Sequence, residues 1–199
     1  MKYQGFEEEH SWLEEARGGS KEAFGHLIRA YQAPVFNLAY RMLGNADEAE
    51  QAAQEAFIRA WTRLDSYDSS HKFSTWLLTI TSNYCIDQLR KRRAQLLSID
   101  GPLPAHPALM SEKSDSPEAA VYESEREEIV QRLLATLPED YREAVVLRYW
   151  YDLSYDEIAE MMDTTVSAIK SRLFRARRQL ADNGLEMGIV PSLEIEYAR

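Results

Sequence analysis

A dense group of cationic side chains lies near the end of the chain, where positions 169 to 178 read Ile-Lys-Ser-Arg-Leu-Phe-Arg-Ala-Arg-Arg. Its five cations are Lys170, Arg172, Arg175, Arg177 and Arg178, and in the sequence only Asp182 lies nearby to oppose them. Arginine forks form paired hydrogen bonds with phosphates and guanine edges, and an aromatic ring can contact a thymine methyl group. The chemistry predicted for this stretch is therefore nucleic-acid binding.

The same stretch has the apolar period of a helix. One face carries Val166, Ile169, Leu173, Ala176 and Leu180. The opposite face carries Lys170, Ser171, Phe174, Arg175 and Arg178. A helix divided in this way either reads nucleic acid or is an ordinary amphipathic helix with a solvated charged face. The density of positive charge favours the first interpretation.

A short helix is predicted immediately before this one. Ser154 is a good N-cap, and Glu157 follows three residues later, as in a capping box. The run Asp163-Thr164-Thr165 breaks the short helix and can cap the next one. A short helix, a tight turn and a basic second helix have the pattern of a helix-turn-helix that enters the DNA major groove. An ordinary helical hairpin is the alternative.

A second cationic run, Arg90-Lys91-Arg92-Arg93, ends a long predicted helix that begins at Phe73. Two interpretations of this helix stay open. In the first, its apolar residues pack in a core and the terminal cations complement the helix dipole. In the second, Asn83 and the cations face a phosphate backbone, and the polar segment 65–72 with nearby aromatic residues holds an unstacked base. The second interpretation accounts for four consecutive cations in an acidic chain.

The composition limits what these cationic surfaces can do. The 199 residues carry a net charge of -10 with a pI near 5.0, whereas a stand-alone, non-specific DNA-binding protein is normally basic. Either charge is segregated locally, or a larger partner supplies most of the affinity for DNA. The single cysteine, Cys85, excludes a disulfide framework and a cysteine-based zinc site. Without a membrane-length apolar run or a signal-peptide core, we expect a cytoplasmic protein with no direct membrane insertion.

Little in the sequence indicates an active site. The four histidines are scattered without metal-binding spacing, and there is no phosphate-binding glycine loop or nucleophile elbow. A packed or partly exposed thiol is a better interpretation of Cys85 than a nucleophile. We therefore expect no enzyme, no metal, no cofactor and no small-molecule substrate. Two rival hypotheses are a stand-alone helix-turn-helix regulator, which lacks an evident dimerisation helix, and a nucleic-acid enzyme, which lacks an acid–base cluster.

The chain as a whole is predicted to be all-α, with two small helical domains joined by a flexible linker and the helix-turn-helix in the second. Residues 1–10 are acidic and expected to be poorly ordered, before a short helix from Ser11. Pro34 permits a break or kink, and Asn183-Gly184 is the expected end of the last helix. The expected divisions are a lead 1–19, a first domain 20–95, a proline-rich linker 96–117, a second domain 118–183 and a tail 184–199.

Three stretches carry a resemblance to a known family. They are Asp47–Trp61, Phe73–Arg90 and Ile169–Arg177, in this order, with the linker between the last two. Together they resemble the bacterial sigma factors of the extracytoplasmic-function (ECF) group, over residues 20–95 and 118–182. A lone helix-turn-helix would not be specific, whereas three motifs in this order are. The resemblance implies a promoter-specificity subunit that initiates transcription with core RNA polymerase and is not itself catalytic.

The resemblance also implies three sets of contact residues. The polymerase β′ clamp helices would be contacted by Gln54, Glu55, Phe57 and Trp61, although Phe57 and Trp61 fit a core role equally well. The minus-ten element would be captured and melted by Ser69, Ser70, His71, Lys72, Trp76, Asn83, Arg90, Lys91, Arg92 and Arg93, with packing an equal alternative for Trp76. The minus-thirty-five element would be read by Lys170, Ser171, Arg172, Phe174 and Arg175, with Thr165 and Ser167 near phosphates.

Further partners follow from the resemblance. It implies a contact with the polymerase β flap, a linker that threads towards the RNA exit path, and an anti-sigma factor that masks the DNA- or polymerase-binding faces. The family often has an acid where this chain has Gln51, and a glycine where it has Asp163. Polymerase docking and the geometry of the turn are therefore the two points at which this chain is expected to differ. The tail from Gly184 exceeds the minimal family pattern.

Overall fold

The computed structural model describes residues 6–98 and 117–189. Their helices are α1 (Phe6–Arg17), α2 (Lys21–Leu43), α3 (Ala46–Thr62), α4 (Phe73–Ser98), α5 (Pro117–Ala135), α6 (Glu139–Trp150), α7 (Tyr155–Met161) and α8 (Val166–Glu186), with a short 3-10 turn at Leu64–Ser66. No strand occurs in this described part, and the all-α prediction is confirmed. The chain divides into two compact units after Ser98, which we call the first unit and the second unit.

Helix α2 is central to the first unit and packs against α1, α3 and α4. Ser20 caps its start by accepting a hydrogen bond from the Ala23 amide, and Gly44 ends it in the left-handed conformation, with φ at 72°. Pro34 lies inside the helix without ending it. Val35 and Leu38 are fully buried on the core side, and this packing outweighs the one backbone hydrogen bond that proline cannot donate.

Helix α1 begins earlier than the sequence predicted, at Phe6 instead of Ser11. Its acidic composition alone indicated poor order over residues 1–10. Leu13 and Ala16 are buried in the same core as Phe24 and Leu27 of α2. Before Ser11, the Tyr31 hydroxyl of α2 donates a hydrogen bond to the Glu9 carboxylate, so a tertiary contact reaches the part of α1 that the prediction left out.

The second unit contains α5 to α8, with α8 packed against all three of the others. Its fully buried core includes Leu147, Ile158 and Ile169. The predicted capping box at Ser154 and Glu157 is present at the start of α7. Between α7 and α8 the chain turns through Asp163, with φ at 45°, the left-handed conformation that glycine adopts without strain.

Helix α8 does not end at Asn183-Gly184 as predicted, but continues to Glu186. Asn183 Nδ2 donates to Thr136 Oγ1 at 2.7 Å, and Gln179 Nε2 donates to the Thr136 carbonyl at 3.2 Å. These bonds hold the end of α8 against the α5–α6 turn, and they override the local preference of glycine for a helix end. Most of the predicted linker, residues 99–116, and most of the predicted tail, residues 190–199, lie outside the described residues.

Candidate nucleic-acid interface

Helix α8 separates its buried and exposed faces as its period predicted. Ile169, Leu173 and Ala176 are buried, and the Thr165 hydroxyl caps the helix by accepting a hydrogen bond from the Ala168 amide at 3.2 Å. The exposed positions are Ser167, Lys170, Ser171, Phe174, Arg175, Arg177 and Arg178. The Phe174 side chain is 62% exposed, although an aromatic ring of this size normally contributes to a core. Its exposure beside cations makes this face a candidate contact surface.

Arg172 differs from the other cations of α8 because it is paired within the fold. Its Nη2 lies 3.1 Å from Asp140 Oδ2 in the first turn of α6, and only 24% of its side chain is exposed. The expectation that Asp182 alone opposes these cations is therefore wrong. Asp140 is distant in sequence, so no local pattern could identify the pair. Arg172 ties α8 to α6 instead of extending the free cationic face.

Arg175 remains exposed but also contacts α6. Its Nη1 donates a hydrogen bond to the Tyr141 hydroxyl at 3.4 Å. This hydrogen bond raises the pKa of Arg175. A guanidinium has five N–H donors, and the remaining ones can form a bidentate contact with a phosphate or a guanine edge.

The polar segment before α4 forms a folded loop. Tyr67 donates its hydroxyl proton to the His71 carbonyl at 2.6 Å, and the Asp68 carboxylate accepts from the Ser70 amide at 2.9 Å. The hydrogen bonds from Ser70 hold the pKa of Asp68 below its usual value. Ser69, Ser70, His71 and Lys72 are exposed, so the predicted base-capture residues share one accessible loop.

An aromatic cluster supports this loop. The Tyr67 ring centroid lies 5.5 Å from that of Phe73 and 5.2 Å from that of Trp76. Trp76 is half-buried in this cluster, so it has the packing contacts that were one of its two interpretations. Arg17 of α1 donates to the Tyr67 carbonyl, and its guanidinium lies over the Tyr67 ring, 5.4 Å from the centroid. Sequence reasoning missed Arg17, because no local signal connects α1 to the loop.

Helix α4 presents Asn83, Asp87 and a cluster of cations along its exposed side. Asn83, Arg90, Lys91 and Arg93 are exposed. Arg92 instead forms an ion pair with Glu48 of α3 and is half-buried. Of the predicted cationic run, Arg92 therefore joins α4 to α3, and its neighbours remain accessible.

Helix α3 carries the residues expected to dock on polymerase. Gln54 is exposed, and Glu55 pairs with Arg59 at 2.8 Å. Phe57 is only 8% exposed and belongs to the core, while Trp61 is half-buried. Helical spacing places Ile58 four residues after Gln54 on the outer face, where it is 58% exposed. The sequence period could have identified this apolar residue, and our prediction missed it.

In residues 6–98 and 117–189, no group of three or more His, Cys, Asp or Glu side chains could hold a metal ion. Cys85 is fully buried, so of the two interpretations of this thiol the packed one is correct. No helix within those same ranges is long and apolar enough to cross a membrane.

Comparison with known proteins places both units in one family. Residues 27–95 match the Sigma-70 region 2 family, and residues 127–180 match the Sigma-70 region 4 family. The chain is 37% identical to the ECF RNA polymerase sigma factor SigW of Bacillus subtilis, over 84% of this chain and 92% of that protein. It is 35% identical to the ECF RNA polymerase sigma-E factor of Escherichia coli, over 87% of this chain and 92% of that protein.

Solved structures agree with the sequence relatives. The sigma factor RpoE of Bartonella quintana, in complex with the anti-sigma factor NepR, has a TM-score of 0.64 at 26% identity, over 80% of this chain and 94% of that one. CnrH, in complex with the cytosolic domain of CnrY, has a TM-score of 0.64 at 25% identity, over 88% of this chain and 96% of that one. The order of the two matched regions, the identity over most of the chain and the helical architecture agree: the chain belongs to the ECF family of RNA polymerase sigma factors.

Proposed function

We propose that this sigma factor directs core RNA polymerase to specific promoters through two separate DNA contacts, one from each unit. The observation that carries the proposal is the segregation of charge. In a chain of net charge -10, the exposed faces of α8 and of the end of α4 are cationic. Free protein with this charge would bind DNA weakly, because phosphate contacts dominate non-specific affinity. Delivery by polymerase removes the need for overall basicity.

The second unit would read the minus-thirty-five element. Lys170, Ser171, Phe174 and Arg175 lie on the exposed face of α8, and side chains of these types can bond base edges or contact a thymine methyl group. Thr165 and Ser167 lie at the helix start, where hydroxyl groups and backbone amides suit phosphates. We assign Arg172 a supporting role, because its ion pair with Asp140 holds the helix in place.

The first unit would capture and open the minus-ten element. The exposed residues Ser69 to Lys72 offer hydrogen-bonding groups above an aromatic cluster, which suits an unstacked base. Asn83 on α4 offers both donors and acceptors for a base edge. Arg90, Lys91 and Arg93 would hold the adjacent backbone. Because Trp76 already packs against Tyr67, its contribution would be to support the loop.

Polymerase would dock on the outer face of α3. Gln54, Glu55 and Ile58 provide an apolar side chain within a polar rim, and Trp61 lies partly exposed beside them. We propose the β′ clamp helices as the partner of this face and the β flap as a partner of the second unit. Phe57 is removed from the contact set, because it fills the core.

Regulation by an anti-sigma factor is part of the same proposal. The RpoE relative of Bartonella quintana was solved with its anti-sigma factor NepR. A protein that covers α3 or α8 would block polymerase or DNA. The family consists of transcription initiation factors, and we propose that this chain acts in the cytoplasm with no catalytic activity, leaving chemistry to polymerase.

In vitro transcription tests the proposal directly. Core polymerase, with and without the full chain, is supplied with a library of promoter fragments randomised at both elements. We expect initiation from a restricted set of sequences only when the chain is present. Operator binding by the free protein, without promoter-specific initiation, would refute the proposal in favour of a stand-alone regulator.

A further inference from the structure

We propose that Tyr141, which lies on α6 and outside the helix-turn-helix, is a positioning residue that sets base selectivity at the minus-thirty-five element by orienting Arg175. The inference rests on the proposed role of α8. It adds a residue that lies outside α8, the helix proposed to read DNA. It also assigns different roles to Arg172 and Arg175, which the sequence alone does not distinguish.

The geometry brings two consecutive residues of α6 against two arginines of α8. Asp140 and Tyr141 lie in the first turn of α6, and α6 packs directly on α8. Arg172 and Arg175 are three residues apart, so they lie on the same side of α8. Asp140 pairs with Arg172 at 3.1 Å, and the Tyr141 hydroxyl accepts from Arg175 at 3.4 Å. The start of α6 thus contacts both guanidinium groups.

The two partners differ in charge, and this difference separates the roles of the arginines. The Asp140 carboxylate neutralises Arg172, whose side chain is only 24% exposed. The partner of Arg175 is a hydroxyl and not a carboxylate, so its positive charge is not balanced within the fold while one of its donors is held. Arg172 is therefore committed to the fold, and Arg175 is oriented but still able to bind DNA.

Orientation matters because an arginine side chain loses much rotamer freedom when it forms a bidentate contact. A guanidinium whose position is restricted before binding loses less freedom, and the gain applies only to bases that its fork can reach. Removal of the Tyr141 hydroxyl should therefore weaken discrimination at the bases read by Arg175. It should not weaken the contacts of Lys170 or Phe174.

The test uses the full chain bound to core polymerase and linear promoter fragments randomised at the minus-thirty-five element. Tyr141→Phe removes one hydroxyl and keeps the aromatic ring. We expect a loss of about threefold in preference at the positions that depend on Arg175, the size of one hydrogen bond. The thermal midpoint of the free protein should not change. Initiation from fragments that lack the minus-thirty-five element should not change either.

Two controls separate positioning from general effects. Tyr149→Phe removes a hydroxyl from a tyrosine of the same helix that is 55% exposed, and base preference should remain as in the wild type. In an Arg175→Ala background, Tyr141→Phe should cause no further loss, because the group it orients is absent. An equal loss in that background, or unchanged preference in the single variant, would overturn the inference. If wild-type holoenzyme selects no sequence at all, the proposed function fails instead, and this inference fails with it.

Discussion

The two units present their candidate DNA contacts in different ways. In the second unit the contacts lie along one face of α8, whose opposite face fills the core with Ile169, Leu173 and Ala176. In the first unit they are divided between the 66–72 loop and the exposed side of α4. The loop holds its shape through Tyr67, Asp68 and a hydrogen bond from Arg17 of α1. One surface is a face of a packed helix, and the other is a supported loop.

This difference matches the two kinds of recognition proposed. Base edges in a duplex are read by a rigid helix that fits the major groove, and burial of one side of α8 supplies that rigidity. An unstacked base requires a concave, polar site near aromatic rings, which a loop over Tyr67 and Trp76 can provide. The structural support of each surface therefore follows the form of DNA that it would meet.

The units also share a feature. Each uses one arginine of its cationic run for its own fold, since Arg172 pairs with Asp140 and Arg92 pairs with Glu48. The neighbours Arg175, Arg90 and Arg93 stay exposed. Anchoring and contact residues are thus interleaved in both runs, and a count of cations overstates the charge available to DNA.

The largest effect is expected in the first unit, from paired substitutions in α3. Phe57→Ala should lower the free energy of unfolding by about 3 kcal/mol, because it removes a buried aromatic ring. Ile58→Ala should change it by no more than about 0.5 kcal/mol, but should weaken binding to core polymerase about tenfold. Urea denaturation and binding titrations measure the two quantities. Normal polymerase affinity in Ile58→Ala would exclude this face of α3 as the docking surface.

The matched pair in the second unit is Leu173 and Phe174. Leu173→Ala should destabilise the unit by about 2–4 kcal/mol, because its side chain is fully packed. Phe174→Ala should change the free energy of unfolding by no more than about 0.5 kcal/mol, and it should reduce selection of the minus-thirty-five element. Hydrogen exchange of α8 amides follows the first effect, and promoter competition follows the second. Destabilisation by both variants would contradict the separation of core and contact faces in α8.

A smaller effect tests whether the loop in the first unit depends on α1. Arg17→Met removes the hydrogen bond to the Tyr67 carbonyl, and we expect a loss of about 1–2 kcal/mol together with slower promoter opening. Permanganate footprinting with polymerase measures opening at the minus-ten element. Arg29→Met, at an exposed position of α2, is the matched control and should leave opening unchanged. If opening is equally fast in both variants, the loop does not need its support from α1.

The smallest effect concerns the turn that joins the two helices of the helix-turn-helix. Asp163→Gly should raise the free energy of unfolding by about 0.5 kcal/mol, because glycine adopts a φ of 45° without a Cβ clash. Asp152 also has a positive φ, of 50°, but it pairs with Arg148 at 3.0 Å. Asp152→Gly should therefore give a smaller gain in urea denaturation. If Asp152→Gly gives the larger gain in the free energy of unfolding, the expectation that the turn at Asp163 is the more strained of the two is wrong.

Much of the secondary structure was predictable from local residue types. Ser20, Ser154 and Thr165 cap helices as their side chains indicate, and Gly44 ends α2 in the left-handed conformation that glycine favours. The predictions that were wrong involve tertiary contacts. The part of α1 before Ser11 is contacted by Tyr31 of α2 through Glu9, and α8 continues through Gly184 because Asn183 bonds Thr136.

The residues of the candidate site were also predictable in part from the sequence. Helical period identified the exposed face of α8, including Phe174 and Arg175. It did not distinguish Arg172 or Arg92 from their cationic neighbours, because their acidic partners lie on other helices. The same period could have identified Ile58, which lies on the outer face of α3 and is exposed, but our prediction missed it.

The sequence by itself determined the all-α class, the helix-turn-helix, the order of the family motifs and the positions of the cationic runs. These features depend on capping, period and composition, which are local properties of the chain. Only the tertiary structure decided which cations remain free, how Tyr141 meets Arg175 and how Arg17 supports the loop. Each of these depends on side chains far apart in sequence, and packing of the helices alone brings them within bonding distance.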